Sequence, residues 1–165
     1  MNKTKEVVIL GIDPGTAITG WGVITQDRNG PVVIGYGCIE TSKHKTDVER
    51  LKETADDVKE IIARYRPDEM AIEELFFFKN LKTAIKVAQS RGVLLLNAIQ
   101  AHLMIAEYTP LQIKQALTGY GKAEKKQVQL MVKNILKMEK IPKPDDAADA
   151  LAVALCHQQS RSMLL

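Results

Sequence analysis

The sequence predicts an α/β domain: a mixed five-stranded sheet, three antiparallel meander strands plus two parallel ones, flanked by helices on both faces. Three observations carry this. Residues 6–40 hold three Val- and Ile-rich runs divided by turn residues, with no helical period. From residue 47 onward, helical and strand-like runs alternate, as they do where crossover helices link parallel strands. The helical run 81–101 is apolar nearly all round and so needs a partner on each of its sides.

The first run, residues 6–13, is almost continuously apolar and reads as a central strand buried on both faces. Asp13-Pro14-Gly15-Thr16 follows, with Pro then Gly where a type II turn takes them; taken alone, Asp13 is a turn former. Residues 19–25 form a second strand, Asp27-Arg28-Asn29-Gly30 a hairpin turn, and residues 32–40 a third strand. Gly20, Gly22, Gly35 and Gly37 keep the two-residue spacing of one face and suggest close approach of another backbone or a ligand.

Residues 47–65 place Val48, Leu51, Ala55, Val58, Ile61, Ile62 and Tyr65 at helical spacing, an amphipathic helix that covers the sheet. Arg66-Pro67-Asp68 ends it. Residues 70–75 form a fourth strand, reached by a crossover and so parallel to the first. Phe76, Phe77 and Phe78 stand at its exit. All three could be core or one could stack on a base, and core is the safer reading for at least two. Residues 81–101 are helical and apolar nearly all round, so this helix needs a partner on each side, and a second subunit could be one of them. Residues 103–108 form a fifth strand. Thr109-Pro110 opens a helix, with Pro in the first turn. Residues 123–138 form a lysine-studded amphipathic helix, and Pro142 and Pro144 precede the last helix.

At 165 residues, 45% apolar and 26% charged, the chain reads as one domain spanning 1–165. No run of about 18 apolar residues is present, so no membrane span is expected. The polar lead Asn2-Lys3-Thr4-Lys5 lacks a signal-peptide pattern, which favours a cytoplasmic site. Cys38 and Cys156, far apart in apolar surroundings, read as reduced core residues. The net charge of +3 is uneven. Residues 110–140 carry seven lysines against two acids, as a solvated face or a polyphosphate-binding surface would.

The chemistry lies in three acidic stretches: Val7–Asp13, Met70–Leu75 with Glu73 and Glu74, and Asp145–Ala152 with Asp145, Asp146 and Asp149. An ionised carboxylate removed from water must be paired, protonated or metal-bound. No basic residue lies inside these stretches, and hard divalent cations take oxygen ligands. Glu73 and Glu74 point to opposite faces of their strand, and alternation leaves the choice between them open. On the last helix, Asp146 and Asp149 share a face, as do Asp145 and Asp149. Asp145 is explained as an N-cap, but Asp149 lies too deep for that role.

These residues resemble the RuvC family of Holliday junction resolvases, within the ribonuclease H-like fold. The resemblance runs along nearly the whole chain. It rests on Gly11-Ile12-Asp13-Pro14-Gly15, Thr19-Gly20-Trp21-Gly22-Val23-Ile24, Ala71-Ile72-Glu73-Glu74-Leu75-Phe76, Lys79-Asn80, Gln89-Ser90-Arg91-Gly92-Val93, Ala123-Glu124-Lys125-Lys126-Gln127-Val128 and Asp146-Ala147-Ala148-Asp149-Ala150-Leu151-Ala152. It implies catalytic, metal-binding acids at Asp13, Glu73, Asp146 and Asp149. It implies a junction-facing aromatic at Phe76 and DNA-contacting lysines at Lys114 and Lys125; Lys122 and Lys126, in the same basic stretch, join them. Glu74 and Asp145 double the acid at two of these sites.

The resemblance further implies two Mg²⁺ ions per active site, with Mn²⁺ expected to substitute. It implies paired nicks in four-way junction DNA leaving 5′-phosphate and 3′-hydroxyl ends, a homodimer, and the RuvA–RuvB branch-migration complex as partner. Two other classes share parts of this pattern. An ATPase or sugar kinase uses a similar Asp-x-Gly-Thr turn but needs a second lobe to enclose its nucleotide. A non-catalytic nucleic-acid adaptor has no need of acids at all four positions. Within the nuclease class, a single-strand or RNA-directed enzyme is the nearest rival.

Overall fold

The structure is a computed structural model that describes residues 6–75 and 80–162. Strands β1 (Ile9–Asp13), β2 (Ile18–Asp27) and β3 (Gly30–Glu40) are followed by helix α1 (Asp47–Tyr65) and strand β4 (Glu69–Glu73). Helix α2 (Leu81–Gln100), strand β5 (Met104–Tyr108), and helices α3 (Pro110–Thr118), α4 (Lys125–Ile135) and α5 (Asp145–Ser162) complete the order. The sheet runs β3-β2-β1-β4-β5. β1–β2 and β2–β3 are antiparallel, and β4 and β5 add in parallel. This is the mixed sheet that the sequence predicts, with element ends shifted by a few residues.

Local chemistry fixes those ends. Thr46 caps α1: its Oγ1 accepts from Glu49 N–H, and Glu49 Oε2 accepts from Thr46 N–H at 2.7 Å. Thr109 and Gln112 make the same reciprocal pair at α3, with Pro110 in the first turn. α4 is shorter than the expected 123–138. Glu124 N–H donates to Gln127 Oε1 at its start, and Lys137, at φ 52°, turns the chain out of the helix beyond its end.

Two cores form. On one face of the sheet Leu10, Ile12, Val23, Met70 and Ile72 pack beneath α1 and α2 with Val58, Ile61, Leu94 and Ala98. On the other face Ile9, Ile24 and Ala71 pack beneath α3, α4 and α5. Helix α5 is the centre of that second layer, with residues 147–148 and 150–157 all buried. It can sit this close because the strands beneath it lack side chains. A Cβ at Gly11 would lie 2.2 Å from Ala150 O, and one at Gly22 2.6 Å from Leu151 Cδ2. At the far end, buried Glu69 accepts from Arg161 Nε at 2.8 Å and meets His157 Nε2 at 2.6 Å. His157 Nδ1 is 2.7 Å from Tyr108 O–H. These contacts tie the last turns of α5 to β4 and β5.

Two sequence expectations are corrected. The four glycines of β2 and β3 lie on two faces, not one. Gly20 and Gly22 face α5, whereas Gly35 and Gly37 make room for Tyr65 and Trp21 on the opposite side. Cross-strand pairing is the reason: Gly22 sits opposite Tyr36 and Gly20 opposite Cys38, which leaves 35 and 37 in the other phase of the pleat. Nor is Asp13–Thr16 a type II turn, because Gly15 does not take the positive φ that turn requires. Gly15 is needed for space: a Cβ there would lie 1.9 Å from Ile18 O. Thr19 Oγ1 closes the loop, accepting from Gly15 N–H and donating to Gly15 O.

Candidate active site

Asp13 ends β1 and Glu73 ends β4. The strands are parallel and in register, with Ile12 beside Ile72, so the two carboxylates leave neighbouring strands one step further along. Gly11, two residues before Asp13, packs on α5, and Ala71, two before Glu73, belongs to the same core. By alternation both acids face α5. Register therefore separates Glu73 from Glu74, which periodicity alone did not. Glu74 is exposed, and its N–H donates to Tyr108 O at 2.8 Å.

The other two acids come from α5. Gly20 sits directly opposite Asp13 across the β1–β2 ladder. A Cβ at Gly20 would lie 1.9 Å from Asp146 O, so the first turn of α5 rests on bare strand backbone beside Asp13. Asp149, one turn further, lines a cleft of about 220 Å³ with Glu73, Lys114, Lys125, Pro110, Ile113, Val128 and Val153. Asp145 turns outward to Lys143, which holds its carboxyl below the usual range.

Crowding shows in the protonation of the group. Burial pushes the Asp13 carboxyl up to about 9, helped by the charge of Glu73, a hydrogen bond with it, and the charges of Asp149 and Asp146. Glu73 is raised chiefly by burial and by Asp149, against the Asp13 hydrogen bond, Lys114 and Lys125, which lower it. Asp149 is raised by burial, against Lys125. Near neutral pH Asp13 thus keeps its proton and donates it to Glu73.

The sequence reading found no basic residue within the acidic stretches, but α4 supplies one from outside them. Lys125 Nζ lies 2.9 Å from Asp149 Oδ2, and that bond raises the lysine. Lys114 also lines the cleft; Lys122 and Lys126 are exposed and do not line it. Phe76 falls outside the described residues. Among the described residues no three acidic, His or Cys side chains already stand at ligand spacing. A shared proton and Lys125 offset the charge of the cluster in their place.

The donor set nonetheless fits a hard divalent cation. It is four carboxylates gathered from three elements, and burial with the neighbouring acids raises the carboxyl of one of them, Asp13. Two neighbours escaped the sequence reading. Cys38, opposite Gly20, has its thiol pushed up to about 11, first by burial and then by the Asp146 charge. Arg91 of α2 donates from Nε to the main-chain carbonyl of Glu73 at 3.2 Å. Its motif stood in the sequence, but nothing in helical period says which carbonyl a long side chain reaches.

A family model described as crossover junction endodeoxyribonuclease RuvC matches residues 9–157. The crossover junction endodeoxyribonuclease RuvC of Halothermothrix orenii is 56% identical over 154 residues, covering 93% of each chain. The Thermus thermophilus RuvC structure superposes with TM-score 0.89 at 36% identity, over 95% of this chain and 96% of that one. A second structure, of T. thermophilus RuvC in complex with Holliday junction substrate, gives 0.87 at 34% identity, over the same shares of the two chains.

Proposed function

The chain belongs to the RuvC family of crossover junction endodeoxyribonucleases, and from that premise we propose that its acidic cleft cuts four-way DNA junctions by divalent-metal-dependent phosphodiester hydrolysis. The observation that carries the reading is the gathering of Asp13 and Glu73, from neighbouring parallel strands, with Asp146 and Asp149 of α5 beside a lysine-lined cleft. Asp13, Glu73, Asp146 and Asp149 would hold two Mg²⁺ ions. When bound, such ions acidify an attacking water and offset charge on the phosphodiester and its leaving 3′ oxygen.

The chain's own groups have distinct tasks. With a cation present, Asp13 would lose its carboxyl proton to solvent and would serve as a ligand with both oxygens free. Glu73, which already lines the cleft, would then be free of that hydrogen bond and could accept a proton from the attacking water. Lys125 exchanges Asp149 for a phosphate oxygen, and Lys114 draws the same backbone toward Glu73. Lys122 and Lys126 extend the phosphate track, and the Phe76 ring supports an opened base at the crossover. The products are a 5′-phosphate and a 3′-hydroxyl that a ligase can reseal. Cleavage of a synthetic four-way junction should far exceed cleavage of linear duplex or RNA–DNA hybrid. Equal cutting of all three would overturn the reading.

Lys125→Ala should weaken junction binding and flatten the salt dependence of log K by about 0.9, one phosphate contact. An unchanged slope would remove Lys125 from the interface.

Two symmetric nicks call for two sites related by a twofold axis. The outer face of α2 presents Leu81, Ile85, Ala88, Gly92, Leu96 and Ile99 in one exposed apolar stripe. This stripe is the subunit contact of a homodimer. Ile85→Glu with Leu96→Glu, both at exposed positions, should weaken association about 100-fold, roughly 3 kcal/mol for charge forced into a dry contact. Sedimentation should then give a monomer that leaves unpaired nicks, whereas a wild-type monomer at micromolar concentration would contradict the assignment. Among the described residues no helix is long and apolar enough to cross a membrane. A DNA substrate suits the cytoplasm, and the RuvA–RuvB complex is the partner that family membership suggests.

A further inference from the structure

Arg91 stands midway along α2, and its guanidinium reaches the end of the sheet where β4 and β5 stop. Nε donates to Glu73 O at 3.2 Å, and Nη2 is paired with the carboxylate of Glu107 on β5. The Arg91 side chain is 16% exposed, so its contact with the Glu73 carbonyl is partly buried, whereas Glu107 stands at the surface. Glu107 lies beside Ile72 in the β4–β5 register, on the face covered by α2, while Glu73 lies beside Tyr108 on the face covered by α5. Arg91 therefore touches the peptide of Glu73 from one side of the sheet while the Glu73 carboxylate faces the other.

Glu73 has few other restraints. It lies one residue beyond the last β1–β4 pair, Ile12 with Ile72, and at the last β4–β5 pair. The next N–H, of Glu74, is tied to Tyr108 O. The Glu73 carbonyl is thus outside the β1 ladder and takes its donor from Arg91. We propose that Arg91 is the positioning residue for Glu73, fixing the peptide from which its carboxylate reaches Asp13. The inference rests on the reading of Glu73 as a catalytic acid.

The same helix carries the outward apolar stripe, with Ala88, Gly92 and Leu96 close to Arg91 in sequence. Whatever holds α2 in place therefore also holds Glu73. Glu107 supplies the contrast. Its ion pair clamps α2 to β5, so Glu107→Gln removes the clamp and leaves the Arg91 contact with the Glu73 carbonyl, whereas an Arg91 variant loses both.

The test compares Arg91→Gln, Arg91→Lys and Glu107→Gln in the full-length protein. It reads the single-turnover cutting rate of a four-way junction, junction Kd, the Mg²⁺ concentration that half-maximally raises the melting temperature, and the metal-free melting temperature. Arg91→Gln should cut roughly 10- to 100-fold more slowly, the scale of an ångström-sized misplacement, with junction Kd unchanged and the Mg²⁺ midpoint raised. Arg91→Lys, which still carries a donor for the carbonyl, should recover part of the rate. Glu107→Gln should melt as low as Arg91→Gln yet cut faster than it.

Wild-type cutting and Mg²⁺ response in Arg91→Gln would overturn the inference. So would a loss of rate that follows melting temperature alike in both the Arg91 and Glu107 variants. Glu73→Gln in the same assay separates the two levels of the argument. If it cuts normally, the reading of Glu73 falls and this inference with it. If it is inactive beside a fully active Arg91→Gln, the inference alone falls.

Discussion

Asp13→Asn should abolish junction cutting while raising the melting temperature of the metal-free protein. Both effects follow from one carboxyl. In the unfolded chain it ionises near its ordinary value of 3.8; in the fold, burial and three neighbouring acids hold it protonated up to about 9. Between those limits the folded state binds the extra proton, so stability falls as pH rises. The contribution is fully present below the unfolded value and gone above the folded one. Asn cannot ionise, so it removes this pH dependence and the strain with it. At pH 8 the metal-free variant should melt higher by on the order of 5 °C, a gain of one or two kcal/mol in a domain of this size. Cutting should fall by roughly 10³-fold, as when a principal stabilising contact of a reaction is lost. Junction binding should persist, because lysines and phosphates carry it. A pair of melting curves at pH 5 and 8 and a cleavage assay suffice. A variant that melts lower at pH 8 would mean that Asp13 is not strained.

Gly20→Ala, a change of one methyl group, should be nearly as damaging to cutting and far more damaging to the fold. The new Cβ would lie 1.9 Å from Asp146 O and 2.4 Å from Asp146 C, backbone atoms that move only with the first turn of α5. Overpacking of this kind costs about 3 kcal/mol or more. The melting temperature should therefore drop by roughly 6–12 °C. The shift also carries Asp146 away from Asp13, so the remaining folded protein should cut roughly 100-fold more slowly. Near-normal melting and cutting would show that α5 does not bear on β2 as described.

How much of this the sequence disclosed depends on which physical signal each feature leaves. Strand order along the chain, the crossover at α1 and the two-sided α2 were readable because each leaves a period or a breaker. The gathering of acids at strand ends was readable because carboxylates in apolar runs are costly and so stand out. The choice of Glu73 over Glu74 came from the family resemblance and not from period, since both faces of β4 are apolar; parallel register with β1 decides which faces α5. Gly20 and Gly35 look alike in sequence yet face opposite layers, because the partner strand sets the phase. The Lys125–Asp149 pair and the Arg91–Glu73 contact join residues 24 and 18 positions apart, and long flexible side chains leave no period to read.

The central claim is that Asp13, Glu73, Asp146 and Asp149 together hold the divalent ions on which cutting depends. Anomalous diffraction from crystals soaked in Mn²⁺ tests it most directly, with Asp13→Asn crystals treated alike. The account predicts strong anomalous density among these four carboxylates in the wild type, with Lys125 displaced from Asp149, and weak or no density in the variant. Density elsewhere on the protein with none between these acids, or equal density in the variant, would contradict it.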